Sequence, residues 1–177
     1  YYANLSVFRS APDTWAIDQA FPIMPIHRLS KEPNKLGHFA DLTCDSDGKL
    51  DQFIDNGKIK NLLPLHEFNQ DEKYLIGLFL GGAYQEVMGN LHNLFGSTNA
   101  VHIRFTENGN YKVEHVIRGN TKSNVLEYLE HDPEILLERL RKSSELAIQG
   151  GHLKIHDAQK LIEHVEASLR QSTYLQS

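Results

Sequence analysis

The spacing of apolar residues changes period once along this chain, near Gly119, and that change constrains the fold more than any other feature. Before it, Val101, Ile103 and Phe105 alternate with polar residues, Asn108-Gly109 interrupts them, and Tyr111 and Val113 resume the alternation. Alternation sends successive side chains to opposite faces, and Asn-Gly tolerates the positive φ angles of a tight primed turn, so a β-hairpin is predicted. Beyond Gly119 the spacing is helical. Asp132-Pro133-Glu134 supplies an N-cap, a proline at the first helical position and an acid at the positive end of the helix dipole. Leu136, Leu137, Leu140 and Ala147 follow at helical intervals, and Gly150-Gly151 stops them. Ala158, Leu161, Ile162, Val165 and Leu169 form a second stripe, and a shorter helix is expected over 123–130. The fold class is therefore α+β. A β-rich body over residues 1–119 precedes an α-helical tail over 120–177.

Within the body, residues 1–10 mix aromatic, β-branched and small residues, as an edge or half-buried strand would. Pro12, Pro22, Pro25 and Pro33 then make regular helix unexpected before about residue 38. Residues 39–43 and 50–54 read as short strands flanking the turn Cys44-Asp45-Ser46-Asp47-Gly48. The apolar run over 74–80 has strand length and predicts a strand in a sheet buried on both faces.

Charge and composition exclude several classes. Hydrophobic residues make up 40% and charged residues 23%, which is ordinary for a globular chain. The net charge is -5 and the 18 Lys and Arg are scattered, so a nucleic-acid surface, which needs a clustered basic face, is not expected. The run over 74–80 falls far short of the ~20 residues of a membrane span. No basic region followed by an apolar one opens the chain, and its single cysteine, Cys44, fits a reducing, cytoplasmic setting. Tyr1-Tyr2 begins it without a methionine and runs straight into a strand-like pattern, so it reads as a fragment.

The segment Asp41-Leu42-Thr43-Cys44-Asp45-Ser46-Asp47-Gly48 gathers a thiol and three carboxylates. Three readings compete for it. One is a polar turn, with Asp and Gly present for turn geometry. A calcium loop fails on spacing: with Gly48 at the sixth position, the first and twelfth would be Thr43 and Ile54, neither a carboxylate. The third is a reactive cysteine beside an acid. Elsewhere, Gly81-Gly82 before Tyr84 would let backbone approach a ligand closely. The ten histidines show no metal-ligand spacing; His152 and His156 lack the glutamate of a His-Glu-x-x-His helix and read as surface residues.

Three motifs in order, Tyr1-Tyr2-Ala3-Asn4 with Asp18, Cys44-Asp45, and Gly82-Ala83-Tyr84, resemble those of the fold-type III pyridoxal-phosphate decarboxylases. Within that group, four stretches are similar to the biosynthetic arginine decarboxylases. They are Thr43-Cys44-Asp45-Ser46-Asp47-Gly48, Gly82-Ala83-Tyr84-Gln85-Glu86, Asn90-Leu91-His92-Asn93-Leu94-Phe95-Gly96 and the tail ending Thr173-Tyr174-Leu175. The resemblance spans the whole chain. It implies a sandwich- or barrel-like C-terminal domain with a helical tail, the N-terminal (β/α)8 barrel with its cofactor lysine being absent. None of the eleven lysines sits in a matching context, so the chain alone is expected to bind pyridoxal 5'-phosphate weakly and to be inactive.

The same resemblance assigns roles. Cys44 is the implied proton donor, facing the active site of a neighbouring subunit; Asp45 and Asp18 hold the distal cationic end of L-arginine; Tyr84, beside Gly82 on a strand-to-loop junction, holds the cofactor phosphate. Asp47 either assists there or fixes the turn before Gly48, and the turn is the favoured reading. The implied reaction is L-arginine to agmatine and carbon dioxide, at the entry to putrescine and spermidine synthesis, in a homo-oligomer of at least two subunits. Magnesium accompanies the family, but no residue here matches a ligand. The alternatives are a relative acting on ornithine, lysine, diaminopimelate or carboxynorspermidine, or a non-catalytic regulatory homologue.

Overall fold

Strands in this chain pair two at a time. The computed structural model describes residues 1–176 and contains five two-stranded antiparallel ladders and six α-helices among them. Two compact units divide the chain, Tyr1–Asn93 and Leu94–Ser177.

The first unit opens with α1 (Val7–Ser10) rather than the expected strand; only a single parallel bridge, Tyr2 to Ala40, remains of the latter. Ser6 explains the difference. Its hydroxyl accepts the Arg9 amide at 3.3 Å, satisfying a donor that the first helical turn leaves unpaired. The prolines do not exclude helix either. Pro12 has φ -58° and leads directly into α2 (Asp13–Ala16), where its missing N–H costs nothing. Then come β1 (Ile23–Pro25), β2 (Lys35–Gly37), β3 (Phe39–Ala40), β4 (Lys49–Leu50), β5 (Phe53–Asp55), β6 (Lys58–Lys60), β7 (Leu63–Leu65), β8 (Ile76–Leu78) and α3 (Gly82–Met88).

The ladders are β1 with β8, β2 with β7, β3 with β4 and β5 with β6, so the body is β-rich but its sheets are small and do not close into a barrel. Ile23, Phe39, Leu50, Phe53, Leu63 and Leu65 of these ladders share one core with Val7 of α1. Each such burial removes apolar surface from water and contributes about 1.5–3 kcal/mol. Phe39 and Phe53 meet edge to face at 6.4 Å. The run over 74–80 is not buried on both faces. Its strand covers only Ile76–Leu78, which is half-buried and pairs with β1 alone, and Leu80 beyond it is 84% exposed.

The second unit holds β9 (Ala100–Phe105), β10 (Tyr111–Ile117), α4 (Lys122–Tyr128), α5 (Pro133–Gln149) and α6 (Ile155–Leu169), so the change of period at Gly119 falls inside it. The hairpin forms as predicted, with a different turn. The Gly109 amide donates to Thr106 O at 3.0 Å and the Thr106 amide to Asn110 O at 2.8 Å, and only Gly109 takes positive φ, at 77°. That is a three-residue loop in which glycine alone needs the left-handed region. The helix signals hold. Asp132 caps α5 by accepting the Glu134 amide at 2.8 Å, with Pro133 at the first position, and Thr121 with Asn124 forms a capping box on α4. Of the two stripes, Leu137, Ala158 and Leu169 are buried, while Leu136 and Leu161 stay exposed. Near the end of the tail, the Tyr174 hydroxyl donates to Gly96 O at 2.9 Å.

Candidate functional site

The Cys44 turn is built on a buried carboxylate. Asp41, 4% exposed, accepts the Val7 amide at 2.8 Å with one oxygen. With the other it accepts the Thr43 amide at 2.7 Å and the Thr43 hydroxyl at 2.6 Å. Its own amide donates to Gly48 O at 2.8 Å, closing the loop between β3 and β4. Further out, the Asp45 carboxylate accepts the Asp47 amide at 2.9 Å, and the Gly48 amide returns to Asp45 O at 3.1 Å. Asp47 itself accepts the Lys49 amide through its backbone carbonyl. A loop tied by local side-chain-to-backbone bonds holds its shape without apolar packing.

Cys44 stands exposed on that loop. Its amide donates to Asn93 Oδ1 at 3.0 Å, while Asn93 Nδ2 donates to Cys44 Sγ at 3.4 Å. Next to it, His92 Nε2 lies 3.7 Å from Asp45 Oδ2, and the imidazole stacks on Phe8 at 4.3 Å. The thiol and acid of one loop are thus met, side chain for side chain, by two neighbouring residues of another. The sequence placed His92 and Asn93 only within a matching string. Asn93 carried one local hint: asparagine tolerates the left-handed region, and it occupies it here at φ 51°.

Tyr84 sits on α3, because Gly-Ala-Tyr opens a helix here instead of marking a strand-to-loop junction. The helix is anchored on its far side. Buried Gln85 donates to Asp13 Oδ2 at 2.6 Å and accepts the Asp13 amide at 3.2 Å, and Arg9 donates to Gly89 O at 2.7 Å. Tyr84 consequently faces outward, 63% exposed, and its hydroxyl makes no hydrogen bond with the described residues. Gly82 takes φ 60°, with open space where a Cβ would stand. Asp18 is exposed, also at positive φ (55°), after α2. No hydrogen bond or ion pair among the described residues joins Tyr84 or Asp18 to the Cys44 turn.

A cavity of about 460 Å³ lies against the turn, with Asp41, Thr43, Asp45, Lys49 and Asp51 in its wall. Lys49 bonds Asp51 at 2.7 Å; that hydrogen bond first, then the charge of Asp51, raises the ammonium pKa above its ordinary value, with Asp47 and Asp18 adding to it. Lys49 therefore stays cationic through the neutral range and offsets Asp51. Among the described residues, there is no group of three or more His, Cys, Asp or Glu that could hold a metal ion. No helix among them is long and apolar enough to cross a membrane.

A family model described as the arginine decarboxylase C-terminal helical extension matches residues 123–175, the stretch that carries α4 to α6. The chain is 73% identical over 176 residues, 99% of its length, to the biosynthetic arginine decarboxylase of Prochlorococcus marinus strain MIT 9313. It is 58% identical over all 177 to that of Thermosynechococcus vestitus strain BP-1. Over its whole length the chain is thus similar to a part of the biosynthetic arginine decarboxylases. The crystal structure of the biosynthetic arginine decarboxylase from Campylobacter jejuni matches 100% of it with a TM-score of 0.84 at 35% identity. The chain spans about a quarter of the length of these decarboxylases: 27% of the Prochlorococcus protein and 29% of the Campylobacter chain. Like the Campylobacter decarboxylase over the matched region, it is mixed helix and strand, as the α+β reading expected.

Proposed function

We propose that this chain is the C-terminal part of an enzyme that converts L-arginine to agmatine and carbon dioxide, at the entry to polyamine synthesis. The observation that carries the reading is an exposed thiol and carboxylate, Cys44 and Asp45, held on a rigid loop in a chain so similar to biosynthetic arginine decarboxylases.

Pyridoxal 5'-phosphate would be held through Tyr84, and the residues present fit it. An outward phenol without a partner in the described chain can donate to a phosphate, and the open space at Gly82 lets backbone approach it. When bound, the cofactor supplies the electron sink for loss of carbon dioxide. Cys44 Sγ holds the proton that the α-carbon then receives; a thiol whose pKa is tuned can give it up near neutral pH. Asp45 accepts from the planar guanidinium, whose forked donors match a carboxylate. Asp18 is a second acid for that end of the substrate. In an assembly of at least two subunits, Cys44 serves the cofactor of a neighbour.

The full-length protein, assayed against arginine, ornithine, lysine, diaminopimelate and carboxynorspermidine, is expected to favour arginine in kcat/KM by at least about 100-fold. Equal or better turnover of another amine sinks the assignment, and no turnover of any leaves the regulatory homologue. Tyr84→Phe should raise the cofactor dissociation constant about tenfold or more, since a hydrogen bond to a charged group is worth about 1.5–3 kcal/mol. Fluorescence titration of the apoenzyme measures it.

A further inference from the structure

Two bonds tie Asn93 to Cys44, and they run in opposite directions. The carboxamide oxygen accepts the Cys44 amide at 3.0 Å and the carboxamide nitrogen donates to the sulfur at 3.4 Å. One planar group therefore fixes both the backbone and the side-chain direction of the cysteine. Asn93 can do so because its backbone lies in the left-handed region, φ 51° and ψ 27°, inside the 3₁₀ turn His92–Leu94. Asparagine reaches that region more cheaply than other L-residues with a side chain of this length. The turn is itself anchored: Asn90 Oδ1 accepts the His92 amide at 2.9 Å, the Asn90 amide donates to Phe8 O at 3.0 Å, and His92 stacks on Phe8.

We infer that Asn93 is a positioning residue for Cys44, aiming the sulfur and stabilising its deprotonated form. The inference rests on the reading of Cys44 as the proton donor. A thiol exposed on a loop would otherwise rotate among three staggered positions, of which one at most points at a reacting carbon. An N–H directed at sulfur selects one rotamer, and it interacts more strongly with a thiolate than with a thiol. After each proton transfer the sulfur is left as a thiolate until it is reprotonated, so the same bond steadies it at that stage.

The test uses the intact decarboxylase and a readout other than turnover, the pH dependence of Cys44 alkylation by iodoacetamide followed on the Cys44 peptide by mass spectrometry. Asn93→Gly keeps the left-handed backbone accessible and removes the carboxamide; Asn93→Asp keeps the acceptor for the Cys44 amide and loses the donor to sulfur. Both are expected to slow alkylation at pH 7 about tenfold and move its profile to higher pH. With arginine, kcat should fall while KM stays within about twofold. An alkylation profile unchanged in Asn93→Gly overturns the inference, and so does a shift in Asn93→Asp alone, which would be the effect of its added charge. Failure of the proton-donor reading is distinguishable: it shows as unaltered turnover in Cys44→Ala, whatever the alkylation of the Asn93 variants.

Discussion

On the proposed reading, Cys44→Ala in the full-length protein is expected to lower kcat with arginine by roughly 10²–10⁴-fold, the usual worth of a positioned acid in a proton transfer. The structure makes this a clean substitution. The sulfur is exposed, so its removal opens no cavity in the core, and surface changes of this kind move stability by about 0.5 kcal/mol or less. Cofactor absorbance should stay unchanged, because Tyr84 and Gly82 lie on α3 and neither bonds the Cys44 turn among the described residues. Cys44→Ser provides a second arm. The backbone amide keeps its bond to Asn93 and the hydroxyl can accept the other, but it gives up its proton far less readily than a thiol, so serine should be nearly as slow as alanine. Turnover near that of the parent in both variants removes Cys44 from the chemistry.

What was legible in the sequence follows from how local each signal is. The caps and stops of α5 sit within two residues of the helix they govern, and Asp132, Pro133 and Gly150 act as read. The hairpin was legible from its alternation, but its turn was not. Asn108-Gly109 is compatible with more than one loop length, and the bond from Gly109 to Thr106 that chooses between them has no signature of its own. The body was misread where short-range capping competes with strand propensity: residues near Ser6 look strand-like until its hydroxyl takes the Arg9 amide. At the candidate site, Cys44 and Asp45 stood out by residue type, and the resemblance gave them roles. Asn93 lies 49 residues from Cys44 in sequence, and only the folded chain brings its carboxamide to the sulfur. Asp41 was visible as one of three acids in the segment. That it is buried and structural, unlike Asp45, depends on the Val7 amide from a helix the sequence did not suggest.

Gly48→Ala is expected to loosen the whole Cys44 turn, and the cause should be traceable to Asp41. A Cβ on residue 48 would stand 2.2 Å from Asp41 Oδ1 and 2.4 Å from Thr43 Oγ1, closer than any real contact. The carboxylate cannot step aside without releasing the amides of Val7 and Thr43, so overpacking here should cost about 1–3 kcal/mol. Asp41→Ala on its own should cost roughly 3 kcal/mol, since it strands the buried Val7 amide and frees Thr43. Together the two substitutions should cost less than their sum by at least about 1 kcal/mol, because removing the carboxylate removes the main obstacle to the new methyl group. Hydrogen exchange at the Val7 and Thr43 amides reads this local opening in the intact protein, where no single melting step can be assumed. Strict additivity of the two effects would mean that the glycine is required by something other than the carboxylate it faces, and Asp41 would lose its place as the foundation of the turn.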